Sequence, residues 1–231
     1  MKLLFALFMS FFTLLYASVI GSVEKVEGSV KVKSEGSIKK SDVAAGYEMK
    51  NGDLISTSKG SSAILKLLDG SNVVLEESST IFFDSAVNAE QKEGKIFYKI
   101  TSRDAKNALK VTTPFAIIGI KGTTFIINAD ENNSNVKLKE GLIGVASIKE
   151  EFELYRKQVE EEFNKFMKEQ QAGFEEYKKA QFEGVAEMTK EFDLQAGNTI
   201  TFAGQKVQES GWSEKDDAEF KHFESLIGSV K

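Results

Sequence analysis

From Val19 to Ala146 apolar and polar residues alternate in short runs, and turn residues break those runs at close intervals. Alternation sends every second side chain to one face, so the text demands half-buried β-strands. "SVEKVEGSVKVKSEGSI" sets Val23, Val26, Val30 and Val32 around Gly28, which reads as two short strands and a tight turn. Asn51-Gly52 and Asp69-Gly70 are the strongest turn signals, because asparagine, aspartate and glycine accept positive φ. Further strands are expected near 95–100, 108–113, 123–128 and 136–139, with "NADENNSN" as a polar loop tip. Many short strands at this spacing point to a sandwich, a barrel or a short solenoid.

Between Ile148 and about Glu187 the alternation stops and charge density rises. Cut every eleven residues, the text gives "EFELYRKQVEE", "EFNKFMKEQQA" and "GFEEYKKAQFE". Phe152, Phe163 and Phe174 fall in register, as do Tyr155, Phe166 and Tyr177. Such a repeat is about 3.67 residues per turn, so the aromatic stripe runs almost straight along a coiled-coil-like helix. The stripe reads as cover for a core, or as a docking face for a partner or a second copy. Gly173, at a cost of about 1 kcal/mol in a helix interior, leaves open a straight helix or one folded back. "EFDLQAGNTITFAGQKV" then returns to alternation, and "GWSEKDDAEFKHFESLIGSV" reads as a closing helix with Ser213 as N-cap.

The chain opens "MKLLFALFMSFFTLLYASVIG", with Lys2 before an apolar run and small residues at Ala17 and Ser18. That is the layout of a signal peptide cut after Ala17. An uncleaved inner-membrane anchor stays open, because the uncharged stretch reaches Ile20. Either way the remainder is expected outside the cytoplasm, in the periplasm. The absence of cysteine rules out a disulfide scaffold, so packing must supply the stability. A formal charge of −5, with no basic stripe interleaved with aromatics, argues against a nucleic-acid partner.

"VTTPFAIIGIKGTTFII" holds the only proline, Pro114, followed by Gly119 and Gly122. Proline fixes φ and lacks an N–H, and the glycines permit a bulge, so the segment reads as a corner in a buried sheet. Its threonines have no neighbouring histidine or cysteine to activate a hydroxyl. His222 stands alone, a poor transition-metal site. Glu76-Glu77 and Glu150-Glu151 do not make a glycosidase dyad, since adjacent strand residues face opposite ways and adjacent helical ones are solvated. Asp130, Asn132 and Ser134 lack the glycine and closing glutamate of an EF-hand. No catalytic, cofactor or metal site is expected, and the chain is read as a non-enzyme.

Taken together, these pieces are similar to the FecR-type periplasmic domain. The resemblance rests on Gly52-Asp53, Ser62-Ala63, Asp69-Gly70-Ser71, Thr113-Pro114-Phe115-Ala116, Gly122-Thr123-Thr124-Phe125 and Glu140-Gly141 with Val145. It implies a β-domain in which Gly52, Asp53, Asp69, Gly70, Pro114, Gly119, Gly122, Thr123 and Gly141 are structural. Prototype members pair a cytoplasmic segment that handles a sigma factor with a periplasmic part that senses an outer-membrane transducer. Here a signal-like segment precedes the β-domain, so a stand-alone envelope domain is expected.

The expected organisation is a leader or anchor at 1–17, a FecR-like β-sandwich or short solenoid at 19–147, and an interrupting helix at 148–188. A hairpin at 189–208 closes the β-domain, and a short helix at 212–228 ends the chain. The expected partner is an envelope protein, or a second copy through the helix stripe, with membrane contact only if the leader is kept. A carbohydrate or peptidoglycan-binding module is the alternative, with Phe97, Tyr98 and Trp212 as its candidate aromatics.

Overall fold

The computed structural model describes residues 18–101, 108–130, 134–156 and 186–229; within them the chain is mainly β-strand, with a single helix near the C-terminus. The first strands are β1 (Val19–Glu27), β2 (Val30–Lys33), β3 (Ser41–Asp42), β4 (Glu48–Lys50) and β5 (Asp53–Thr57). Next come β6 (Ser62–Leu67), β7 (Asn72–Leu75), β8 (Thr80–Ser85) and β9 (Asn88–Lys99). They are followed by β10 (Leu109–Thr112), β11 (Ile117–Ile120), β12 (Thr124–Ala129), β13 (Ser134–Glu140) and β14 (Leu142–Ala146). The last strands are β15 (Phe152–Tyr155), β16 (Glu187–Thr189), β17 (Glu191–Gln195), β18 (Asn198–Ala203) and β19 (Lys206–Gly211), before helix α1 (Glu214–Gly228).

These strands form one open mixed sheet with two sections that share β9. In the first section the order is β4, β1, β6, β7, the second half of β9, β12, β13, β18, β19, β15 and β16. In the second it is β3, β2, β5, β8, the first half of β9, β10, β11, β14 and β17. Most neighbours are antiparallel; β9–β10 and β15–β19 are parallel. One core cluster draws on both sections, with Leu65, Val73, Tyr98 and Phe125 from the first against Ile55, Ile81, Val111 and Ile118 from the second.

The transfer between sections happens at Gly94, whose φ is +84. A Cβ there would lie 2.5 Å from the Ser79 Cα, so only glycine lets the two strands close. A buried polar brace holds the crossing. Gln91 Nε2 donates to the carbonyls of Gly94 (2.8 Å) and Ile127 (3.1 Å), and the Tyr98 hydroxyl donates to Gln91 Oε1 (2.9 Å). Burial alone raises the Tyr98 phenol well above its ordinary range, so it stays a neutral donor.

Strands with one wet face keep the alternation: Leu109 and Val111 in β10, Phe192 and Leu194 in β17, point inward. β6, β7 and β12 instead carry unbroken apolar runs, buried on both faces. The reason is α1. It lies on the outer face of the first section, where Phe220 and Phe223 join Ile64, Val74, Phe97 and Ile126 in a second cluster. Ser213 caps the helix and forms a capping box with Asp216.

The helix expected over 148–188 is corrected at both ends. Residues 152–155 and 187–189 are strands, paired Phe152 to Thr189 and Leu154 to Glu187. In "FELY" the pair Phe152 and Tyr155 fits a helical face, but Phe152 and Leu154 fit a strand face equally well. Pairing with β19 decides the matter and buries Phe152 and Leu154 in the core. Gly173 and the stripe residues Phe163, Phe166, Phe174 and Tyr177 lie outside the described residues, as does the 1–17 segment. No helix among the described residues is long and apolar enough to cross a membrane.

Candidate functional site

The corner around Pro114 is a four-residue turn joining β10 to β11, and Thr113 ties it. Thr113 Oγ1 accepts from the Ala116 N–H (2.9 Å) and donates to the Ala116 carbonyl (2.9 Å), while the Thr113 N–H donates to that same carbonyl (2.9 Å). The hydroxyl is buried and fully engaged in closing the turn. Pro114 sits at the exposed tip, where its missing N–H leaves no partner unsatisfied.

The chain then changes section at Gly122, whose φ of +86 only glycine holds at low cost. Thr123 follows, 2 % exposed, and its Oγ1 has no hydrogen-bond partner among the described residues. Gly141, the turn between β13 and β14, packs onto this corner and has φ +90. Gly119 does not turn the chain. It lies inside β11 opposite Gly144 of β14, with no positive φ and room for a Cβ.

The other turn residues are fastened in the same manner. Asp53 is buried, and its Oδ2 accepts from the Tyr47 hydroxyl (3.0 Å) and the Lys50 N–H (2.9 Å), fixing the turn from β4 to β5. Gly52 in that turn has φ +84 and abuts Glu35. Asp69 accepts from the Ser71 N–H (3.0 Å) and the hydroxyls of Ser71 (2.9 Å) and Thr101 (3.1 Å), with Gly70 at φ +83 between them. In each case the acid supplies acceptors for backbone and neighbouring hydroxyls, as Asx turns do.

An electrostatic seam, not foreseen from the text, fastens α1. Lys137 Nζ meets Asp216 Oδ1 (2.8 Å) and Glu219 Oε2 (2.7 Å), Lys95 meets Glu219 Oε1 (2.6 Å), and Lys139 meets Glu224 Oε1 (2.6 Å). Partial burial works against the charge on Lys137 and Lys95, but their acid partners outweigh it and hold both ammonium groups above the ordinary lysine value. Burial likewise pushes Glu219 and Asp216 up, and hydrogen bonds from Lys137, Lys95 and Ser213 outweigh it, leaving both carboxylates low. The partners are far apart along the chain, so no local pattern announces them.

Arg156, also unforeseen, joins the two sections at the opposite end. Its Nη1 donates to the Asp193 carbonyl (3.2 Å) and lies 3.6 Å from Glu209 Oε2, while the guanidinium stacks 5.5 Å from the Phe192 ring centre.

Two open grooves accompany these elements. One, of about 490 Å³, runs between Pro114-Phe115, Ile148-Lys149 and Phe202, and the other, of about 500 Å³, lies beside Gly52, Glu35 and Phe82. Their serine hydroxyls are engaged elsewhere: Ser37, Ser134 and Ser147 donate to backbone carbonyls and Ser34 meets the Tyr47 hydroxyl. No cluster among the described residues could hold a metal ion. Of the expected docking aromatics, Phe152 is in the core and Tyr155 is half-buried in β15. Of the candidate carbohydrate platform, Phe97 and Tyr98 are fully buried, and Trp212 packs on Phe220 with ring centres 5.1 Å apart. That corrects the expectation that they present an exposed aromatic face. His222 is exposed.

One mixed β-sheet in two sections over a shared core, closed by glycine turns, defines the molecule as a mainly β domain. More particularly, residues 53–144 match the model of the FecR protein family. Two crystal structures of a protein from Parabacteroides distasonis ATCC 8503, provisionally described as an anti-sigma factor, are similar to this chain at 14% and 13% identity. Each match has a TM-score of 0.48 and covers 71% of this chain and 62% of that one. No curated protein matches.

Proposed function

We propose that this is an exported envelope protein that works by contact with another protein, in signalling or in envelope assembly, and performs no chemistry. The observation that carries the reading is how the motif residues are used. The polar atoms of Thr113, Asp53 and Asp69 are engaged in closing turns, which leaves a shaped surface as the thing the domain offers. The FecR-type match over 53–144 supports a sensing or docking role. The Lys2 and apolar-run layout of the first residues supports a periplasmic location.

We further infer that residues 157–185 are an insertion in the β-domain. The pairing of β15 with β16 on either side of that stretch supports it, as does the return of β17 to β14 and of β18 to β13.

The test places a photo-crosslinking residue at Phe115 or Lys149, beside the groove at Pro114, in living cells. The expected result is a discrete adduct with one envelope protein, lost when the crosslinker is moved to Lys31 on the far part of the second section. Selective retention of the protein on insoluble murein, with no protein adduct, overturns the reading.

A further inference from the structure

We propose that the outer face of β10, β11, β14 and β17 is a self-association surface that seats a second copy of this chain. The cross-strand row at its centre runs Lys110, Gly119, Gly144, Asp193. A flanking row runs Thr112, Ile117, Ala146, Glu191, and on the other side of the central row Leu142, opposite Gln195, is half exposed. The intervening residues, Val111, Ile118, Val145 and Phe192 among them, point into the core. The matching outer face of the first section is covered by α1, whereas Lys110, Gly119 and Asp193 are exposed.

The charge order on this face commits it to a copy of itself. The central row is basic at one end, acidic at the other and bare between, and neither Lys110 nor Asp193 has an ion-pair partner among the described residues. Consider a two-fold axis lying between two facing sheets, parallel to the strands and passing between Gly119 and Gly144. It sets Lys110 of each copy over Asp193 of the other, so an isologous contact satisfies both charges twice. The same operation lays Ile117 over Ala146 of the second copy, large against small. The bare centre fits this arrangement. Nothing among the described residues requires those glycines, since a Cβ on either would meet its nearest neighbour at 3.9 Å. Glycine weakens a strand interior but lets a facing sheet approach closer than the usual spacing of about 10 Å.

Sedimentation velocity on the full chain, with thermal melts run alongside, tests this. The wild type is expected to dimerise reversibly. Lys110→Asp sets like charges over each other and should weaken the dimer by roughly tenfold or more. Lys110→Asp combined with Asp193→Lys restores the complement and should recover it. Gly144→Val should abolish the dimer while leaving the melting temperature unchanged or higher; where that variant fails to fold, the charge-reversal set decides alone. A wild type that stays monomeric at roughly 100 μM overturns the proposal. So does a dimer indifferent to Lys110→Asp, or a double reversal that does not restore association.

Discussion

Gly141 lies so close against Thr123 that a Cβ added to it would sit 2.6 Å from the Thr123 Cγ2 and 2.7 Å from the Gly122 carbonyl oxygen. Two pieces of the family motif, far apart in sequence, are thus the two halves of one contact. Gly141→Ala should cost about 2–4 kcal/mol, from the left-handed φ together with a clash against backbone that cannot yield. Gly197→Ala is the control, because its φ of +78 is similar but nothing lies within 4 Å. It should cost only about 1–2 kcal/mol. Urea midpoints at constant slope measure both, and equal losses would mean the contact contributes nothing.

The two threonines flanking the β11 hairpin should respond in opposite directions to the same substitution. Thr113→Val removes a hydroxyl that both accepts from and donates to Ala116, leaving a buried N–H short of its partner, and should cost about 1–3 kcal/mol. Thr123→Val replaces a buried hydroxyl that has no partner among the described residues, so it should be neutral or stabilise by up to about 1 kcal/mol. Melting temperatures decide. A strongly destabilising Thr123→Val would show that this hydroxyl has a hidden role and that the corner is more than backbone geometry.

The seam under α1 makes docking of the helix pH-dependent at both extremes. Glu219 and Asp216 have folded pKa values below their ordinary 4.5 and 3.8, so their contribution is complete above those values and lost as pH falls through the lowered ones. Lys95 and Lys137 are raised above 10.5, so theirs is complete below that value and lost as pH rises through the raised ones. Stability from the seam should therefore plateau from about pH 5 to pH 10. Trp212, the sole tryptophan, packs on Phe220 and reports the docking by fluorescence. Lys137→Ala should cost about 1–3 kcal/mol at neutral pH, and much less once both acids are protonated. A loss independent of pH would count against the ion pairs and for packing alone.

Turns were the most legible part of the chain, because Asn-Gly and Asp-Gly have few other uses and the structure puts positive φ on Gly52, Gly70 and Gly141. Strands with one wet face were nearly as clear. β9 was half hidden: its second half was expected as 95–100, but no strand was expected over "NAEQKEG", where the inward residues are the small Ala89 and the polar Gln91, whose partners are the Tyr98 hydroxyl and two carbonyls. "FELY" misled because four residues satisfy both periods, and only the β19 partner chooses. The Lys137–Glu219 and Lys95–Glu219 contacts were invisible for a simpler reason, being 82 and 124 residues apart.

The closing strands supply the last prediction. β13 and β14 are interior strands only because β18 and β17 lie beside them, and Ile200, Phe202 and Leu194 complete the core over Val136 and Ile143. A chain ending at Ala146 would expose both edges and lose those side chains, each large apolar deletion costing about 2–5 kcal/mol. Those three alone sum to about 6–15 kcal/mol, as much as the roughly 5–15 kcal/mol that holds an ordinary domain together, and Phe152, Leu154, Phe192 and Val207 leave the core with them, so the truncation should not fold. Replacing residues 157–185 by a short Asn-Gly turn should instead keep the domain intact, because Leu154 and Glu187 already face each other across the β15–β16 pair and a hairpin turn joins such neighbours. Cooperative melting of the first variant, or collapse of the second, would place the boundary of this domain elsewhere; circular dichroism on the pair tells which.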